Sequence, residues 1–216
     1  MDGALLWEEL ESSLIQSCRV FDLYRSRRRH GDKEGEFYLL KARHWVNVVP
    51  VLGGSEGPER FLMVKQYRQG IDRVTVEFPA GLIEEGEDPR AAAERELLEE
   101  TGCKAGRIVP IGTIVPNPAF MDNTCFSFLA EDLVRVEELS LDDLEVLEVL
   151  EIPVRELERR IGEEPFLNSM TALALFWYLR YRRDGNRSGE DRRNGNRGGG
   201  NQSGGGKGAD RNRTGA

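Results

Sequence analysis

Residues 81–103, GLIEEGEDPRAAAERELLEETGC, leave little choice of local structure. Asp88 is a strong N-cap, Pro89 suits the first helical position, and Gly102 supplies a stop. Three alanines and two leucines between them favour the helical state, so the spacing predicts a helix over Pro89–Thr101. On that helix Glu96, Glu99 and Glu100 stand at i, i+3 and i+4 and share one face. Three neighbouring carboxylates repel one another, so the face must be open to water or must hold a cation. Donors that are all oxygen favour hard Mg²⁺, with Mn²⁺ as the second choice. Arg95, four residues before Glu99, can instead orient one of the carboxylates, and Arg90 with Glu94 forms an ordinary surface pair. For these residues taken alone, a solvated charged face is the simpler alternative.

Composition narrows the classes. A chain of 216 residues suits one domain with some excess, and 39% apolar residues can build a core. A net charge of −8 argues against a protein that coats nucleic acid, so nucleic acid is not an expected partner. Cys18, Cys103 and Cys125 are widely spaced and odd in number, which fits a reduced, cytoplasmic setting. With His30 and His44 the sole histidines, a His/Cys zinc site is not expected. The N-terminus shows no basic leader followed by an apolar run, and a secretory signal is not expected. No stretch approaches the roughly 20 apolar residues of a membrane span.

Along the chain, residues 1–16 alternate Leu and Trp with Glu and read as an amphipathic helical extension. Residues 19–24 and 36–41 read as a strand pair around a basic turn at 25–30. Strands are expected at 45–52, 61–67, 74–78, 107–115, 124–130 and 149–152, and helices at 154–161 and 169–181. Beyond Arg182 the composition changes. Residues 183–216 hold 11 of the 24 glycines, no aromatic or large aliphatic residue, and 8 Arg/Lys against 4 Asp/Glu. Such a segment buries too little to offset the entropy of ordering it, and a disordered tail is expected. Contact of this tail with RNA is the alternative to a plain solvated extension.

Gly81, Glu87, Arg95, Glu96, Glu99, Glu100 and Gly102, with Leu97 at an aliphatic position, match the Nudix box G-x5-E-x7-R-E-U-x-E-E-x-G-U. Cys103 departs mildly from the final aliphatic position. The chain resembles Nudix hydrolases over roughly residues 17–182. The resemblance implies an α/β (α+β) fold, an α/β/α sandwich with a mixed sheet, preceded here by the N-terminal strand pair. It implies that Glu96 and Glu100 are direct metal ligands and that Glu99 is a ligand or the activator of a bound water. Arg95 and Glu87 would form an ion pair fixing the loop to the helix, and the Ala80 carbonyl would be a further ligand.

Outside the box, VKQYRQGIDRVTVEFPAGLIEEGE resembles the ADP-ribose and ADP-sugar pyrophosphatases, in which a Gln-aromatic-Arg strand precedes E-x-PAG. There Arg68 would hold a phosphate through its fork; otherwise it is a surface strand arginine. Pro118 lies 15 residues beyond Cys103, an offset typical of the ADP-ribose group. Phe120 and Met121 either wall the sugar pocket or pack on the core. In residues 143–153, DLEVLEVLEIP, the family places a catalytic glutamate just before the strand. Glu145 fits best and Glu148 is the alternative; a plain acidic strand edge, with Val146 inward, is the third reading. Trp45 and Phe37 could stack on a base, and core packing is the competing reading for Trp45.

The resemblance implies Mg²⁺-dependent hydrolysis of a nucleoside diphosphate sugar, ADP-ribose first, with Glu145 taking the proton of the attacking water. It also implies a homodimer through the N-terminal strands. A GDP-mannose or UDP-sugar diphosphatase and a non-catalytic nucleotide-binding Nudix module are the rival readings.

Overall fold

The computed structural model describes residues 3–53, 57–136 and 146–195. The chain divides into two units, 1–180 and 181–216. Among the described residues of the first, ten strands form two sheets. The N-terminal sheet holds β1 (Glu8–Ser17), β2 (Phe21–His30) and β3 (Lys33–Ala42) in the order β1-β2-β3. The larger sheet runs β10-β5-β4-β9-β8, where β4 is Trp45–Leu52, β5 Arg60–Arg68, β8 Cys103–Ile114, β9 Cys125–Arg135 and β10 Leu147–Pro153. Two short strands attach to it: β6 (Arg73–Glu77) on β5 and β7 (Ala80–Leu82) on β4. β4 and β9 run parallel and the other pairs are antiparallel, so the sheet is mixed.

Helix α1 (Pro89–Thr101) forms where its caps predict. The Asp88 carboxylate accepts from the Arg90 and Ala91 amides at 2.9 and 3.3 Å. Gly102, at φ 69°, closes the far end with its amide on the Leu98 carbonyl. Ala92, Ala93 and Leu97 pack on Val46 and Val48 of β4 and on Ile108, Phe128 and Ala130 of β8 and β9. Burying Leu97 alone contributes about 1.5–3 kcal/mol. The next residue of β4 faces the other way: Asn47 Nδ2 donates to the Met170 carbonyl of α3 (Ser169–Gly195) at 3.3 Å. On this second face Tyr178 of α3 meets Phe61 edge-on at 4.9 Å. Period-two alternation along β4 thus sends successive side chains to helices on opposite sides, which makes the α/β/α sandwich. A short helix, α2 (Val154–Arg160), links β10 to this layer. No helix among the described residues is long and apolar enough to cross a membrane.

Three expectations change. The helix expected over residues 1–16 does not form among the described residues 3–16: a single 3₁₀ turn, Gly3–Leu5, precedes strand β1. The strand prevails because its glutamates face arginines of β2 across the ladder, Glu9 with Arg28 and Glu11 with Arg27. Glu9 and Arg28 are 3.0 Å apart. For the same reason residues 25–30 are strand and not turn; the chain reverses at Gly31, at φ 60°. The N-terminal pair is therefore three strands. Third, α3 continues through Gly195 where disorder was expected from residue 183. Extending an existing helix needs no new nucleus, which lowers the cost of the added turns. The remainder of the expected disordered tail, residues 196–216, lies outside the described residues.

Candidate active site

β7 brings the PAG turn beside α1. The Ala80 amide donates to Glu100 Oε2 at 3.1 Å. Gly81 lies directly under the Glu96 carboxylate: a Cβ built on Gly81 would stand 1.9 Å from Glu96 Oε1. Only a residue without a side chain admits the carboxylate there. Both glutamates are almost fully covered, Glu96 at 8% and Glu100 at 3% exposure. Glu99, one position away, stays partly open.

Arg95 organises the rest. Nε and Nη2 grip the two oxygens of Glu87 at 3.0 and 3.1 Å, and Nη2 also donates to the Leu82 carbonyl at 3.0 Å. Nη1 reaches Glu96 Oε1 at 2.7 Å and Glu99 Oε2 at 3.0 Å. Glu87 also accepts the Glu84 amide at 2.9 Å. One fork therefore ties the strand, the loop and the helix together, the arrangement expected of the Arg95–Glu87 pair. The hydrogen bond from Arg95 holds the Glu87 carboxyl below its ordinary value against the opposing effect of burial. The guanidinium is pushed up in turn, chiefly by that bond and further by Glu96 and Glu99, against the opposing effect of burial.

Arg95 meets Glu87, Glu96 and Glu99 with one positive charge against three, and negative charge is left over. That excess, carried by oxygen donors alone, fits a hard divalent cation. Among the described residues the acidic side chains are not already closed around a point as a metal cluster. Arg95 Nη1 stands between Glu96 and Glu99, while Glu100 rests on Ala80.

The other expected site residues are carried by other elements. The Arg68 fork is engaged: Nε and Nη2 hold the two oxygens of Glu77 at 3.0 and 2.7 Å. Pro118 and Phe120 sit on a loop stitched to β3, where the Leu40 amide donates to the Phe120 carbonyl at 2.7 Å and the Ala42 amide to Asp122 at 3.2 Å. The Phe120 side chain is partly exposed. Glu145 lies outside the described residues. Glu148 is exposed and paired with Lys65 at 3.0 Å. Val146, expected inward, is 85% exposed because it precedes the first paired residue of β10. Trp45 is half-buried at the start of β4, between Leu82 and Cys125, and Phe37 meets Trp7 edge-on at 5.3 Å. Sequence reasoning passed over Glu77, which it saw only as a letter in E-x-PAG. The signal was there: on a β5–β6 hairpin Glu77 and Arg68 share a face.

Comparison with known proteins agrees with this architecture. A NUDIX domain profile matches residues 41–173. The ADP-ribose pyrophosphatase of Bacillus subtilis (strain 168) is 38% identical over 163 residues, 74% of this chain and 86% of that protein. The ADP-sugar pyrophosphatase of Mus musculus is 50% identical over 64 residues, 30% of this chain and 29% of that protein. A crystal structure of an ADP compounds hydrolase superposes with a TM-score of 0.74 at 21% identity, covering 84% of this chain and 96% of the other, a likeness of fold. The chain belongs to the Nudix hydrolase family and lies on the ADP-ribose pyrophosphatase branch.

Proposed function

We propose that this Nudix hydrolase cleaves the diphosphate of ADP-ribose, or of a closely related nucleoside diphosphate sugar, with Mg²⁺ as its ion. The observation that carries this reading is the pair of covered carboxylates, Glu96 and Glu100, laid on Ala80 and Gly81 beside one shared guanidinium. Glu96, Glu99, Glu100 and the Ala80 carbonyl would hold the ion. The chemistry a divalent ion would supply there is withdrawal of charge from the phosphorus and a lowered pKa for the attacking water. Arg68 takes one side of the diphosphate, and Pro118 and Phe120 border the sugar. The attacking water gives its proton to a carboxylate, Glu145 in our reading. Its oxygen bonds to phosphorus as the bridging P–O bond breaks, and ADP-ribose yields AMP and ribose 5-phosphate. The names of the bacterial and murine relatives support the substrate class.

Two further readings accompany the first. Leu14, Ile15 and Tyr38 are exposed on the N-terminal sheet, which supports a homodimer formed through it. The three cysteines are free thiols, which supports a reducing, cytoplasmic setting. The substrate assignment is tested by supplying ADP-ribose, GDP-mannose and UDP-glucose in turn with Mg²⁺ and identifying the products. Highest kcat/KM on ADP-ribose is expected. Preference for GDP-mannose or UDP-glucose would replace it with a broader diphosphatase, and no turnover of any would point to a binding module.

A further inference from the structure

β4 sends Val46 and Val48 to α1 and Asn47 to α3, and β9 likewise sends Phe128 to α1 and Ser127 to the other face. Asn47 and Ser127 are register partners on neighbouring strands, so their side chains stand side by side under α3. Ser127 is in turn paired with Gly112 of β8, and the Trp177 indole of α3 lies over that glycine: a Cβ there would stand 2.4 Å from Nε1. The adjacent strands β4, β9 and β8 therefore line up Asn47, Ser127 and the Trp177 N–H in one row. Asn47 is 2% exposed and Ser127 1%. Asn47 Nδ2 has its partner in the Met170 carbonyl at 3.3 Å. Asn47 Oδ1, Ser127 Oγ and Trp177 Nε1 are buried and bond to no group among the described residues. A buried amide oxygen, hydroxyl or indole N–H is costly to leave unmet, and native proteins seldom do so.

We propose that this row is a binding site for internal water, seated on Ser127 and bridging the sheet to α3. The three groups are matched to that guest. An indole N–H only donates, an amide oxygen only accepts, and a serine hydroxyl does either. Water accepts from Trp177 Nε1, donates to Asn47 Oδ1 and takes Ser127 Oγ as its third partner, the usual number for a buried water. An ion fits worse, since the indole N–H repels a cation and the amide oxygen repels an anion. The helix above leaves room. Met170, Ala174 and Trp177 share one face of α3 at i, i+4 and i+7, and the fully buried residue between the two ends of the row is the small Ala174. The site also lies level with the PAG turn, because Asn47 pairs with Ala80 of β7 on its other side. Water held here fastens α3 to the strand against which that turn is laid.

A crystal structure of the unmodified full chain, at a resolution that shows ordered waters, is the first test. A water at about 2.7–3.2 Å from Ser127 Oγ and from Trp177 Nε1 or Asn47 Oδ1 is expected. Direct bonds among the three side chains with no water between them overturn the proposal, and so does a dry row. The second test is a double-mutant cycle read by melting temperature. Ser127→Ala and Trp177→Phe should each lower it by about 2–4 °C. The double variant should lose clearly less than the two drops together, because either change already breaks the bridge. Strictly additive losses overturn the bridge. Should a variant not fold, the crystal structure of the unmodified chain still decides between water and direct contact.

Discussion

Gly81 and Glu96 stand so close that no side chain fits between them: a Cβ on Gly81 would lie 2.0 Å from the Glu96 carboxyl carbon. The colliding group is the end of a flexible side chain, so it can swing aside while the backbone stays. Gly81→Ala should therefore fold with a melting temperature within a few degrees of wild type, yet lose about 100-fold or more in kcat. Steady-state kinetics beside calorimetry checks this. Wild-type turnover in a folded Gly81→Ala protein would mean that the observed place of Glu96 does not matter to catalysis.

Gly112 of β8 makes the opposite case. A Cβ there would stand 2.3 Å from the Trp177 indole of α3, and this rigid, half-buried ring has far less freedom to swing aside than a glutamate. Gly112→Ala should cost about 1–3 kcal/mol of stability by urea unfolding, while activity per folded molecule is unchanged.

These two glycines also show what could be read in advance. The helix Pro89–Thr101 was legible because Asp88, Pro89 and Gly102 act within one turn of its ends. The packing partner of Gly112 was not, since Trp177 lies 65 residues away on another layer. β1 was misread for a related reason. Leu and Glu in near alternation suit either period, and the choice is made by arginines of β2 that meet Glu9 and Glu11 only once the hairpin forms. Within the site, the loop–helix–loop and the Arg95–Glu87 pair followed from the motif. The engagement of Arg68 by Glu77 did not follow from the motif; it follows from the register of β5 with β6, which puts the two on one face.

Glu77 ties stability to pH with a definite sign. Burial pushes its carboxyl up, but the bonds and charge of Arg68, with Thr75 and Asn168, outweigh it and lower the folded-state value, so the unfolded chain binds its proton first as pH falls. The stabilisation is complete above the unfolded value, about 4.3, and is lost as pH falls below it toward the folded value. Melting temperatures of wild type and Glu77→Gln should differ most near pH 7 and converge on acidification below about pH 4. A gap that stays constant down to pH 3 would contradict this role.

The thiols should divide cleanly. Cys18 is exposed, whereas Cys103 and Cys125 are buried, and burial pushes the Cys125 thiol up to about 12. The reactive species is the thiolate. An aromatic disulfide reagent at pH 8 should therefore titrate Cys18 at once, and Cys103 and Cys125 only after denaturant is added.

The carboxylates on α1 are best tested through Glu100, whose side chain is almost fully covered and rests on the Ala80 amide at 3.1 Å. The decisive measurement is the turnover of ADP-ribose by purified, folded Glu100→Gln enzyme at saturating Mg²⁺. A loss of about 100-fold or more in kcat, with melting close to wild type, is what an ion-holding glutamate predicts. Near wild-type turnover would contradict the metal-binding role assigned to this helix.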